Sequence, residues 1–390
     1  MEILFIVNWG NLFHVSSGCD MRNNLFAEAL SEIGHVDIIS FRQDELAPNI
    51  ANCDVIFSKY IVDSHNYFDF IRSLICMTIS PNNPYSYYRT IKQKSDIIDS
   101  FIKKKEYDII ACRYVEPAIR CGLLKYREKL VIDADDNPAN TLKYWAARAS
   151  FAIIKWKKLY ESKKIGRMVS TLFNSILCSF CSNKSESLSP QTIYLPNTSI
   201  IKGSAPDSYE PTVPRILFVG WLDFFPNTQG ITHFVETIFP SIRSTIPLAE
   251  LRIVGNGQQD FLDYLNKKDG VKAVGRVDDI TNEYREAAIV IIPIYNGSGT
   301  SLKFIEALQM NRPVISTPVG TRGFDDTFQD GIHYLLARND REFVEKTINV
   351  LSNVSKSREM AKNGFEMAKR LFSKENFIET VTDSLSKIKH

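Results

Sequence analysis

Short apolar runs alternate with helix-length stretches along the whole chain. In the first half the runs are ILFIV (3–7), VDIIS (36–40), DVIFS (54–58), YDIIA (107–111), LVID (130–133) and SILCSF (175–180). In the second half they are RILFVG (215–220), ELRIVG (250–255), VKAVG (271–275), IVIIPI (289–294) and PVIST (313–317). Apolar runs without polar alternation predict parallel strands covered on both faces, and the spacers between them supply crossover helices. The pattern predicts an α/β architecture: two Rossmann-like, doubly wound domains facing each other across a cleft. The boundary falls in Pro196–Pro214, a polar stretch with four prolines and no periodicity. The expected division is 1–196, a linker 197–213, a second domain 214–372, and a final helical segment 373–390. That last helix, roughly Lys374–Lys387, has the option of packing back on the first domain. Ligands of such sheets sit beyond the carboxyl ends of the strands, so chemistry is sought in the turns that follow them.

Composition narrows the class. A length of 390 residues corresponds to two or three domains. With 44% hydrophobic and 24% charged residues, the chain is neither disordered, collagen-like nor a bare coiled coil. It contains no apolar run of the ~18 residues that a spanning helix needs. The opening MEILFIVNWG has no basic leader and reads as a strand rather than a signal peptide. Seven scattered cysteines, an odd number, are expected as free thiols in a reducing cytoplasm. A net charge of +2 gives no footprint for nucleic acid. Thirteen of the eighteen glycines fall after residue 200, which marks the second half as the one that grips a ligand.

The richest segment is Ile292–Thr317, IPIYNGSGTSLKFIEALQMNRPVIST. A strand ends at Ile294, a loop carries Gly297 and Gly299, and a helix is expected from about Thr300 to Met310. A glycine loop opening onto a helix N-terminus offers free N–H groups and a favourable dipole to an anion. Lys303 sits in the first turn of that helix, where a cation is disfavoured unless a phosphate is bound. Glu306 lies one turn deeper on the same face. Lysine for phosphate and glutamate for sugar hydroxyls suit a nucleotide-sugar ligand. A generic strand–loop–helix with a solvated Lys–Glu pair fits the spacing equally well.

The second half resembles the donor domain of GT-B glycosyltransferases, specifically the retaining family 4 type. The resemblance runs in order through RILFVGWLDFFPNTQGI, AELRIVGNG, VKAVGRVDDITNEYREAAIVIIPI, NGSGTSLKFIEALQMNRPVISTPVGTRGF and DGIHYLLARND. The first half matches through its opening strand, SSGCDMRNNLFAEAL and LVIDADDNP. The resemblance implies transfer of a sugar from a nucleotide diphosphate sugar to a hydroxyl of an acceptor glycan, with retention, in surface polysaccharide synthesis. It implies an acceptor-binding first domain, a donor-binding second domain, no metal and no other cofactor. Glu306 matches the second glutamate of the family signature, which binds the donor ribose; Ser298 stands where the first would be. Trp221 and Asn227 occupy the places where relatives carry an arginine and a lysine for the diphosphate. That shifts the electrostatic task to Lys303, with Arg322 and Arg276 as helpers. Lys303 and Glu306 are thus the expected catalytic pair. The donor site implied by the resemblance comprises Gly18, Gly275, Arg276, Val277, Gly297, Ser298, Gly299, Thr300, Ser301, Leu302 and Arg322 beside them. Two alternatives stay open: a nucleotide-sugar epimerase of the same fold, and a non-catalytic partner module.

Further signals are weaker. Asp133, Asp135 and Asp136 follow a first-half strand and are expected on the acceptor side together with Arg22; a metal-binding reading belongs to another fold. Ser17 reads as a helix cap. Cys178 and Cys181 alternate along a strand with no second ligand pair, as buried inert thiols do. His333 occupies a structural position, and His14 and His65 sit in loops without a defining context. Residues 141–168 hold eight Lys/Arg and one acid, with Trp145, Phe151 and Trp156 interleaved. Such a stretch suits the anionic inner face of a membrane, where a lipid-linked glycan acceptor would be held. It equally suits a helix with one core face and one solvated face.

Overall fold

The structure, a computed structural model, describes residues 1–12, 17–42, 50–61, 90–135, 137–184, 187, 189–199, 213–297 and 300–389. It divides into two compact units, 1–197 with 374–390 and 198–373.

The first unit is built on a seven-stranded sheet of β1 (Glu2–Val7), β2 (His35–Ser40), β3 (Cys53–Ser58), β4 (Ile109–Arg113), β5 (Leu130–Asp135), β6 (Cys178–Cys181) and β7 (Ile193–Tyr194). The order is β3-β2-β1-β4-β5-β6-β7, and every pairing is parallel. Its helices are α1 (Gly18–Ser31), α2 (Lys92–Ile102), α3 (Val115–Arg120), α4 (Pro138–Ala147) and α5 (Ala152–Phe173). Ile3, Leu4, Phe5 and Ile6 of the central strand have no exposed surface, as helices on both faces require. Ser17 caps α1 by accepting from the Asp20 N–H at 3.2 Å. The C-terminal helix of the chain belongs to this unit. It buries Phe377, Val381 and Leu385, and Lys374 pairs with Glu28 of α1 at 2.6 Å.

The second unit has its own core around a six-stranded parallel sheet. Its strands are β8 (Arg215–Val219), β9 (Glu250–Val254), β10 (Val271–Gly275), β11 (Ile289–Ile292), β12 (Val314–Ser316) and β13 (Leu335–Leu336), in the order β10-β9-β8-β11-β12-β13. Its helices are α6 (Phe225–His233), α7 (Phe239–Thr245), α8 (Gln259–Asn266), α9 (Ile280–Glu286), α10 (Leu302–Gln309), α11 (Asp340–Ser352) and α12 (Val354–Leu371), and the C-terminal helix of the first unit is α13 (Lys374–Ser386). β10 alternates buried and exposed residues because it is an edge strand, and exposed Lys272 guards that edge by pairing with Glu250.

Both sheets reverse direction at their first strand: β1 lies between β2 and β4, and β8 between β9 and β11. That reversal is the topological switch point where doubly wound sheets bind ligands. The unit boundary falls at Asn197–Thr198, at the start of the expected linker. Thr198 and Ser199 are buried parts of the second unit, and 200–212 lie outside the described residues.

Candidate functional site

At the switch point of the second unit, the turns after β8 and β11 come together. β11 is wholly buried and ends in Pro293 and Ile294. The chain passes Gly297, whose φ of +144° lies in a region that side chains disfavour. It then enters α10 at Ser301, whose side chain makes no capping hydrogen bond, while the Phe304 N–H turns back to the Ser301 carbonyl at 3.0 Å. Ser298 and Gly299 lie outside the described residues.

Lys303 reaches from α10 across to α6, donating to Asn227 Oδ1 at 2.6 Å. Its ammonium also lies 4.7 Å from the ring centroid of Phe218 on β8. Asn227 is fixed in turn by donating to the Trp221 carbonyl at 2.9 Å. Gly220 makes this possible: a Cβ there would stand 2.9 Å from both Lys303 Nζ and Asn227 Nδ2. Burial lowers the Lys303 ammonium to about 8, with Glu306 opposing the shift.

Glu306, one turn on, accepts from the Tyr284 hydroxyl of α9 at 2.8 Å and from Ser199 at 3.3 Å. Burial pushes its carboxyl up, while Tyr284, Ser199 and Lys303 pull it back. Tyr284 has no exposed surface, so it works as an internal support for the carboxylate.

The other expected donor residues form the rim. Thr300, Ser301 and Leu302 are half-buried at the head of α10. Gly275 ends β10 with φ +71° and accepts from the Gly255 N–H, which ties the ends of β9 and β10 together. Arg276 after it is exposed and Val277 is half-buried. Arg322 is half-buried in the turn after β12. Thr317 at the end of β12 donates to the Ile294 carbonyl, which holds that turn to the end of β11. Trp221, Phe224 and Phe225 stand 58%, 48% and 54% exposed beside the Lys303–Asn227 pair.

A half-buried cation at the switch point, a helix start without a side-chain cap and a braced carboxylate are the parts of a site for a phosphorylated, hydroxyl-bearing ligand. Residues 213–353 match the family model for glycosyl transferases group 1. The whole chain superimposes on sucrose-phosphate synthase from Thermosynechococcus elongatus with a TM-score of 0.70 at 17% identity, covering 100% of this chain and 99% of that one.

The chain has the GT-B fold, and its second unit carries the match to glycosyl transferases group 1.

It is also similar to Anabaena HepE, crystallised with UDP and glucose, with a TM-score of 0.64 at 13% identity over 98% of this chain and 99% of that one. Among curated proteins it is 24% identical over 304 residues to a 44.6 kDa protein in the cps region of Klebsiella pneumoniae, covering 74% of this chain and 75% of that protein.

In the first unit the structure gives the acceptor-side candidates different work. Arg22 clamps Asp133 bidentately, at 2.7 Å through Nε and 2.7 Å through Nη2. Both side chains are buried, at 2% and 0% exposure, so neither is free to meet an acceptor. Arg113, the last residue of β4, bonds Asp133 at 3.0 Å and Asp135 at 2.8 Å. It also donates to the Cys19 carbonyl at 2.9 Å and to Asn23 at 3.0 Å, so it pins the start of α1. Burial pushes Asp135 up, but Arg22 and then Arg113 outweigh it and hold the carboxyl below its ordinary value. Gly18, expected near the donor, is half-buried as the first residue of α1. Asp136, His14 and His65 lie outside the described residues.

Arg113, Tyr284 and Ser199 were not legible as site residues. Arg113 falls beyond the apolar run 107–111, because the strand begins two residues later than that run. Its only signal was a charge at the end of a buried strand.

The thiols of Cys53, Cys112, Cys121, Cys178 and Cys181 are buried, and Cys19 is half-buried. Burial pushes Cys178 up to about 12, which suits an inert thiol. Cys76 lies outside the described residues. The His333 ring accepts from the Gln329 N–H at 2.9 Å, a turn-closing role. Among the described residues one trio, His35, Asp37 and Asp54, brings metal-ligating atoms together. Asp37 is already committed to Lys105 and Tyr107, each at 2.8 Å. No described helix is long and apolar enough to cross a membrane.

Proposed function

We propose that this chain is a glycosyltransferase, with a nucleoside diphosphate sugar as donor and a hydroxyl of a glycan as acceptor. In the reaction the anomeric C–O bond to the diphosphate breaks and a C–O bond to the acceptor oxygen forms. The hydroxyl proton leaves with the nucleoside diphosphate or to solvent. Retention at the anomeric carbon is part of the proposal.

The observation that carries this reading is the Lys303–Asn227 contact beside the uncapped start of α10. A diphosphate seated there would exchange the neutral amide oxygen for charged oxygens and strengthen the bond Lys303 makes. Charge developing on the leaving group would be met by Lys303 and the α10 N–H groups, already in position, so no metal is required. Glu306 would accept hydrogen bonds from the donor ribose while Tyr284 and Ser199 keep its carboxylate oriented. Arg276, Val277 and Gly275 would line the base, and Arg322 would add charge.

HepE was crystallised with UDP and glucose, which supports a uridine nucleotide as the first donor to test. The relative from a cps region supports a role in surface polysaccharide synthesis, carried out in the cytoplasm.

The test is incubation with a panel of nucleotide sugars and oligosaccharide acceptors, followed by mass spectrometry. Acceptor-dependent release of nucleoside diphosphate with a new glycoside is the expected result. A sugar nucleotide of changed configuration would make the chain an epimerase. No product from any donor that binds would make it a partner module.

A further inference from the structure

The near end of the α4–α5 hairpin of the first unit departs from a helix with one core face and one solvated face. No residue from 147 to 160 is buried. The far half of α5 packs conventionally, burying Ile165, Met168, Val169, Leu172 and Phe173. The near half buries nothing, although it is rich in large apolar side chains. Phe151, Ile153, Trp156 and Leu159 are 68%, 77%, 67% and 45% exposed, and Trp145 on α4 is 53% exposed. The Trp156 ring stacks on Tyr160 at 5.6 Å, so the aromatic face is ordered by its own contacts.

Helical spacing sorts these positions. Ile153, Trp156 and Tyr160 follow one face at steps of three and four, and Lys155 and Lys158 stand across from them. Around them, 141–168 carries eight cations and one acid. The acid, Glu161, is buried and lies 3.6 Å from Lys157, so the exposed surface is purely basic.

We propose that the α4–α5 hairpin is a membrane-docking element, whose apolar tip enters the headgroup boundary of an anionic bilayer while its lysines and arginines lie on the phosphates. Charge complementarity favours a lipid surface over a protein partner. Protein interfaces exclude lysine from their centres, whereas an interfacial helix combines lysine on one face with tryptophan, phenylalanine and isoleucine on the other. Docking would bring the enzyme to a lipid-linked glycan; this rests on the glycan-acceptor reading, but the binding itself does not depend on it.

The test uses the full chain and sedimentation with two kinds of vesicle, phosphatidylcholine alone and phosphatidylcholine mixed with phosphatidylglycerol. The wild type should sediment with the mixed vesicles only. Binding should fall steeply between about 0.1 M and 1 M salt, as the Debye length shrinks from ~10 to ~3 Å. Lys155→Glu with Lys158→Glu should weaken binding at least about 25-fold, at about fivefold per cation. Phe151→Ser with Ile153→Ser and Trp156→Ser should weaken it tenfold or more. Nucleotide binding should be unchanged in both variants, which shows that they fold. Equal recovery with both vesicle types would overturn the proposal, as would no effect of either variant. A wild-type dimer that the apolar changes dissociate would assign the surface to a second copy of the chain instead.

Discussion

Lys303 Nζ and Asn227 Oδ1 lie 2.6 Å apart and join the helix after β11 to the helix after β8. The bond therefore spans the switch point of the second sheet, and a diphosphate bound as proposed would compete for the same ammonium. Burial holds that ammonium at about 8, and an anion beside it favours the charged form. Its value must then be higher in the complex than in the free protein, so binding takes up a proton above pH 8. Affinity for a nucleoside diphosphate should be full below about pH 8 and decline as pH rises through it. Lys303→Arg should remove the decline, since guanidinium stays charged. Calorimetric titrations at several pH values check this, and a flat profile for the wild type would contradict it.

Glu306 is braced by two hydroxyls, so its loss should be felt in the ligand more than in the fold. Glu306→Ala should weaken nucleotide binding more than tenfold, because charge-assisted hydrogen bonds contribute about 1.5–3 kcal/mol. Tyr284→Phe, which frees the carboxylate without removing it, should have a smaller effect. Affinity unchanged in Glu306→Ala would take this residue out of the site.

Asp133 presents the opposite case. It is wholly buried between Arg22 and Arg113. Asp133→Ala would leave two arginines interior with one fewer partner, a change that costs about 3–5 kcal/mol in buried pairs. Urea unfolding should show a loss of that order, with nucleotide binding by the second unit retained. A loss below about 1 kcal/mol would mean that the network relaxes and that the acceptor-side reading of Asp133 deserves renewed tests.

The sequence carried the sheets well because a parallel strand is a local signal. Runs such as ILFIV and IVIIPI are apolar on both faces whatever they pair with. It marked Lys303 and Glu306 as candidates because both stand on one helix, at a spacing that puts them on one face. It did not carry their partners. Asn227, Tyr284 and Ser199 lie 76, 22 and 107 residues from the side chains they touch, and no periodicity links such positions. Asp133 misled for a related reason. An aspartate at a strand's carboxyl end looks the same in sequence whether it faces solvent or two buried arginines from distant segments. β7 and β13 are two residues long, too short for any pattern to show.

Metal dependence offers an independent check. If Lys303 and the α10 N–H groups neutralise the leaving diphosphate, transfer should persist at full rate in excess EDTA. Loss of activity that Mg²⁺ or Mn²⁺ restores would show that the charge is met in another way.

Where the nucleotide lies decides the roles of Lys303 and Glu306, and a crystal structure of the chain with a nucleoside diphosphate measures that directly. The diphosphate should displace Asn227 from Lys303 Nζ, hydrogen-bond the first N–H groups of α10, and leave the ribose hydroxyls on Glu306. A diphosphate farther than about 6 Å from Lys303 Nζ, beyond close charge contact, would contradict the assignment.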